Sequence, residues 1–147
     1  MRKFILFTFL AAAMAFAQDS GAPKQDSKKS KAPASTTKVL TNAEFDKLLA
    51  TPGKVLLIDV RRPDEISANG GFPVYLSIQA GDLEKHLAEI PKDRLIVTVS
   101  NHAARGGRAA DLLTSKGFNV AGTIGAETYE ADGGKLLKIV VPATDKK

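Results

Sequence analysis

Short apolar runs alternate with helically spaced apolar positions along most of this chain, and the clearest unit is Leu95 to Leu113, LIVTVSNHAARGGRAADLL. Leu95 to Val99 is rich in β-branched residues, too short for a helix, and bounded by Pro91 to Arg94 and by Ser100 to His102, the pattern of a buried strand. Ala109, Leu112, Leu113 and Lys116 then recur at helical spacing, and Gly117 stands at a natural stop, which predicts a helix over Gly106 to Lys116. The unit is strand, tight loop, helix. In an open α/β sheet such a loop lies at the carboxyl end of a strand, with the first N–H groups of the helix aimed into it, where anions are favoured.

The alternation continues through Val39 to Lys147, 109 residues that suit one domain. Lys38 to Leu40 is a short strand candidate, and Thr41 with Glu44 forms a capping box for a helix whose Phe45, Leu48 and Leu49 line one face before Pro52-Gly53. VLLIDV, Val55 to Val60, is apolar up to Asp59 and reads as a central parallel strand. Gly81 to Ile90 predicts a helix with Leu83, Leu87 and Ile90 inward, and Phe118 to Ala121 a further strand. Asp132-Gly133-Gly134 marks a turn, and Lys135 to Val141 a final edge strand.

The amino end breaks the pattern. Met1 to Ala17 opens with Arg2 and Lys3, runs apolar from Phe4 and ends in Ala15-Phe16-Ala17, the form of a cleaved export signal. It gives way to Gln18 and Asp19 short of the roughly 20 residues a membrane span needs, so no transmembrane segment is expected after its removal. Residues 18–38 hold prolines, serines and five lysines without a large apolar side chain, a solubilising tether. Of the net charge of +5, two units lie in the signal and three in the tether, where five lysines face Asp19 and Asp26. The domain is therefore near neutral, and the high pI is not a nucleic-acid footprint. There is no cysteine, hence no disulfide, thiolate metal site or sulfur nucleophile, and His86 and His102 make no metal-binding spacing. Neither a metal nor a cofactor is expected, and both histidines read as solvent-facing.

Asp59 and Arg61 with Glu65, the Gly70-Gly71-Phe72-Pro73 turn, and the strand followed by SNHAAR and a helix together resemble the rhodanese-like domains, over Thr41 to about Tyr129. The resemblance implies an α/β fold with a parallel central sheet and helices on both faces. The family's loop carries a cysteine after the buried strand and an arginine five positions later; here Arg105 matches and Ser100 replaces the cysteine. Ala103 stands for a glycine, Gly71 for a histidine, and Gly125-Ala126 and Tyr129 for a Gly-Gly turn and a tryptophan. Family sulfurtransferases carry sulfur as a persulfide on the cysteine, which relies on the nucleophilicity of a thiolate. A serine hydroxyl holds its proton and forms no equivalent carrier.

The expectation is an exported rhodanese-like protein, periplasmic or secreted, without sulfurtransferase activity, that binds a small oxyanion or an exported protein partner. The candidate anion-binding loop is Ser100, Asn101, His102, Ala103, Ala104, Arg105 and Gly106, with Asp59, Arg61 and Glu65 supporting it. Arg105 reads as an anion clamp or as a helix-end arginine paired with a carboxylate such as Glu65, and Gly106 with Gly107 as glycines that let backbone approach a ligand. One enzyme alternative is sulfurtransferase-related or phosphoryl-transfer chemistry with a nucleophile from substrate or partner. Another is a Ser100-His102-Asp59 hydrolase, against which Ser100 lacks the G-x-S-x-G elbow.

Overall fold

In the computed structural model, which describes residues 34–138, the two long apolar runs become neighbouring strands. β1 (Val55–Asp59) and β3 (Leu95–Ser100) pair in parallel from Val55 with Leu95 to Asp59 with Val99. β2 (Leu76–Ser77) and β4 (Val120–Gly125) flank them, giving a four-stranded parallel sheet in the order β2-β1-β3-β4. The central runs do not alternate with polar residues because both faces are covered. Leu57, Val97 and Val99 meet Phe45 and Tyr129 on one side, while Ile58, Val60 and Ile96 meet Leu83, Ala109 and Leu113 on the other.

The first face carries α1 (Asn42–Leu49) and α4 (Ala126–Ala131), and the second carries α3 (Ala104–Ser115) and a 3₁₀-helix, Leu83–Glu89. Thr41 caps α1 as expected, its Oγ1 accepting the Glu44 N–H at 3.3 Å while the Glu44 carboxylate accepts the Thr41 N–H at 3.0 Å. Tyr129 joins the core on the α1 side: its ring stands edge-on to Phe45 and to Phe72, each at 5.4 Å, and its hydroxyl donates to Asp46 at 2.7 Å.

Four boundaries differ from the sequence reading. A helix over Gly81 to Ile90 is tightened to the 3₁₀-helix, with Ile90 extended (φ −88°, ψ 120°) because Pro91 disfavours a helical residue before it. α3 begins at Ala104 rather than Gly106, which brings Arg105 into its first turn. The last strand starts at Val120, after Phe118 has entered the α3-side core, and runs to Gly125. α2 (Pro63–Asn69) was not foreseen; Pro63 takes the first helical position and the Glu65 carboxylate accepts the Arg62 N–H at 2.8 Å. Beyond α4, Leu137 makes an antiparallel bridge to Gly71, while residues 139–141 of the expected edge strand lie outside the described residues, as do residues 1–33 with the expected signal and most of the tether. Among the described residues no helix is long and apolar enough to cross a membrane.

Ordered contacts begin ahead of Val39. The Leu40 N–H donates to the Thr123 carbonyl at 2.8 Å, and the Thr123 N–H to the Lys38 carbonyl at 2.9 Å, so the segment runs parallel to β4 along its free side. Asp111 on α3 holds the preceding residues: its carboxylate accepts from the Thr36 N–H at 3.2 Å, the Thr36 hydroxyl at 3.0 Å and the Thr37 hydroxyl at 2.7 Å. Ser35 lies over Gly107, where an added Cβ would come within 2.6 Å of its Oγ. Asp111→Ala should cost about 1.5 to 3 kcal/mol in chemical denaturation, the range for hydrogen bonds to a charged group, and should speed amide exchange at Leu40 and Thr123.

Candidate functional site

The parallel sheet delivers Asp59, Ser100 and Gly125, the last residues of β1, β3 and β4, to one edge. Arg61 turns back onto Asp59, and both are fully buried. Its Nε donates to Oδ1 at 3.0 Å and Nη2 to Oδ2 at 2.7 Å, a bidentate pairing that offsets much of the cost of removing both charges from water. The remaining donors reach outward, Nη2 to the Gly70 carbonyl at 3.0 Å and Nη1 to the Asn101 side-chain oxygen at 3.4 Å.

Asn101 passes the connection on. Its Nδ2 donates to Glu65 Oε1 at 3.1 Å, and the same oxygen accepts from Arg105 Nη2 at 2.8 Å. The Arg105 hydrogen bond is the main cause that holds the Glu65 carboxyl below the usual carboxylate range, against the opposing effect of burial. The supporting residues Asp59, Arg61 and Glu65 are thus joined to the loop and α3 through Asn101, whose relay role the sequence did not announce. Arg105 adopts the ion-paired geometry, yet its buried Nε–H has no partner.

Ser100 is 1% exposed, and its Oγ accepts the Gly106 N–H at 3.0 Å. The hydroxyl therefore occupies one of the helix-end donors. His102 is 72% exposed and its Nε2 lies 3.2 Å from Glu127 Oε2. Glu127 in turn accepts from Asn69 Nδ2 at 2.6 Å, and its N–H donates to the Asn101 carbonyl at 3.1 Å. The Ser100-His102-Asp59 hydrolase arrangement is not assembled, because each member is committed to a different neighbour.

Gly106 and Gly107 serve packing rather than ligand approach: a Cβ at Gly106 would meet Thr123 Oγ1 at 2.4 Å, and the space over Gly107 is filled by Ser35. Thr123 and Thr98 were missed as site supports. The Thr98 hydroxyl donates to the Gly106 carbonyl at 2.8 Å and that of Thr123 to the Thr98 carbonyl at 3.1 Å, locking the start of α3 onto the sheet. Polar residues inside otherwise apolar strands were the available signal. Gly125 brings β4 close beneath the loop, since a Cβ there would stand 2.9 Å from the Asn101 carbonyl oxygen. The loop borders an open pocket of ≈ 330 Å³ lined by Glu65, Ser100, Asn101, His102, Ala104, Arg105 and Arg108. Ala103 and Gly106 of the expected loop do not line it.

No family model matches the chain. Over 70 residues it is 37% identical to a sulfurtransferase of Allochromatium vinosum, a match covering 48% of this chain and 64% of that protein, less than two thirds of its length. Among solved structures, a rhodanese-related protein from Thermoplasma volcanium matches with a TM-score of 0.59 at 19% identity, over 68% of this chain and 97% of the other. The polysulfide-sulfur transferase homodimer from Wolinella succinogenes gives 0.59 at 26% identity, over 75% of this chain and 85% of its own. The chain has the rhodanese-like fold.

Within the rhodanese-like loop, Ala103 adopts φ 65°, ψ −27°, a left-handed conformation that favours glycine, while its methyl group is buried. The strain of about 1–2 kcal/mol is set against the roughly 0.8 kcal/mol of a buried methyl and the roughly 0.4–1 kcal/mol of unfolded-chain entropy that glycine adds, so Ala103→Gly should be near neutral in chemical denaturation, within about 1 kcal/mol, where loss of a buried methyl at an unstrained position would destabilise. The Glu65 pairing gives a pH signature. Because its folded pKa is depressed, its stabilisation is complete above the ordinary value of about 4.3 and is lost as pH falls through the lower folded value. Thermal unfolding of the unmodified chain and Glu65→Gln should differ most near neutrality and converge in acid.

Proposed function

We propose that this protein is an exported rhodanese-like module that holds a small oxyanion over the loop between β3 and α3 and transfers no sulfur. The single observation that carries this reading is the commitment of Ser100. The residue at the family's nucleophile position is a buried hydroxyl hydrogen-bonded to Gly106, in a chain without cysteine. A persulfide has no atom to form on.

The pocket beside it favours anion binding. Arg105 and Arg108 line it at the first turns of α3, where the helix dipole adds to their charge. Among the described residues no carboxylate pairs with Arg108, and Arg105 has the unpartnered Nε–H. Glu65 competes for Arg105, so an arriving oxyanion exchanges one carboxylate contact for its own. Export rests on Met1 to Ala17, with the mature chain starting at or near Gln18 and working in the periplasm or outside the cell.

Purified protein should show no thiosulfate-to-cyanide sulfur transfer above background; robust turnover would overturn the reading. In calorimetric titration with sulfate, thiosulfate and phosphate, Arg105→Ala should weaken binding about tenfold or more, as loss of a charged hydrogen bond implies. Arg108→Ala should cost less and more strongly at low salt. Glu65→Gln should strengthen binding by freeing Arg105. Ser100→Ala should act mainly on stability, by stranding the Gly106 N–H. Intact-mass measurement of the native protein tests export: a chain still carrying Met1 to Ala17 would refute it.

A further inference from the structure

Arg105 and Arg108 stand three residues apart and so share one side of α3. They line a second depression as well as the loop pocket. This neighbour, ≈ 290 Å³, is completed by Ala80, Gly81, Ala109 and Leu112. Its chemistry differs: apart from the two guanidiniums its walls are small or aliphatic, with no carboxylate or hydroxyl side chain. Leu112 and Ala80 are half-buried, and Gly81 is exposed with nothing within 4 Å of where a Cβ would be. Each depression alone sits near the lower end of the roughly 300–1,000 Å³ usual for ligand sites, and the two arginines line both.

An inorganic oxyanion uses only the first depression. A sulfate or phosphate ion carries no apolar group, so the aliphatic shelf beside the arginines adds nothing to its binding. Extending the oxyanion reading above, on which this rests, we propose that the ligand is an organic oxyanion, a sulfonate or phosphate monoester with a small apolar substituent. Its head lies between Arg105 and Arg108, and its substituent lies on the shelf of Ala80, Gly81 and Leu112. The guanidiniums supply charge and orientation, and the shelf supplies discrimination by size and polarity.

The test compares ligands that differ only in substituent, by calorimetry on the exported chain: methanesulfonate against benzenesulfonate, and methyl phosphate against phenyl phosphate. The phenyl member of at least one pair should bind about tenfold tighter, the effect of burying a few tens of Å² of additional apolar surface, and the tighter pair identifies the head group. Gly81→Phe, which projects a ring into open space over the shelf, should abolish that preference, while Arg108→Ala should weaken both members of the pair. Equal affinities within both pairs, or a phenyl preference that survives Gly81→Phe, would overturn the organic-ligand assignment while leaving oxyanion binding in place. Failure of all four compounds and of inorganic sulfate, thiosulfate and phosphate would overturn the oxyanion reading itself, and this inference with it.

Discussion

A guanidinium and a carboxylate, both shut away from water at the carboxyl end of β1, set the terms for the surrounding structure. A buried charge without its partner costs several kcal/mol, so Arg61 and Asp59 have little freedom to do anything but face each other. The pairing leaves donors on the guanidinium that also need acceptors, and they are met by the Gly70 carbonyl and the Asn101 side chain. The end of α2 and the loop after β3 are therefore placed by the same group. Through Asn101 and Glu65 that constraint extends to Arg105, so the orientation of the cation at the pocket begins inside the sheet.

Ser100 does more than line the pocket. A hydroxyl is a good hydrogen-bond acceptor where a thiol is a weak one, and Ser100 uses that capacity to satisfy the N–H of Gly106 near the start of α3. That hydroxyl therefore has a structural task in this chain. Beside it Ala103 is held in a left-handed conformation better suited to glycine. The loop's path is enforced from outside, by Gly125 beneath it and by the Glu127 N–H on the Asn101 carbonyl.

Much of this was legible in the sequence, and the gaps have physical causes. The strands around Leu57 and Val97 announced themselves because burial on both faces demands uninterrupted apolar residues, and α1 did so because Thr41 and Glu44 satisfy each other. α2 was hidden: only Ile66 is buried, so no apolar repeat exists, and the signal was Pro63 with acids in the first turn. Ser35 to Lys38 lacked any large apolar residue and read as tether, whereas it is held by hydrogen bonds to Asp111, 74 residues away from Thr37, which a local pattern cannot reveal. Gly106 and Gly107 read in the sequence as room for a ligand, whereas the groups that approach them are Thr123 and Ser35. Residue type indicates that space is scarce without indicating what fills it.

The segment that Asp111 fastens also changes what β4 presents to other molecules. A terminal strand of an open sheet offers a row of free N–H and C=O groups on which any extended peptide can add itself, a route to aggregation. Along the middle of β4 both peptide groups of Thr123 are already engaged by Lys38 and Leu40. The stretch just before the domain thus acts as a selvedge, finishing a border that would otherwise be free to ravel into its neighbours. A chain clipped after Lys38 would keep Leu40 on the Thr123 carbonyl but leave the Thr123 N–H bare, and its fate in concentrated solution would be decided by an edge with no part in the chemistry.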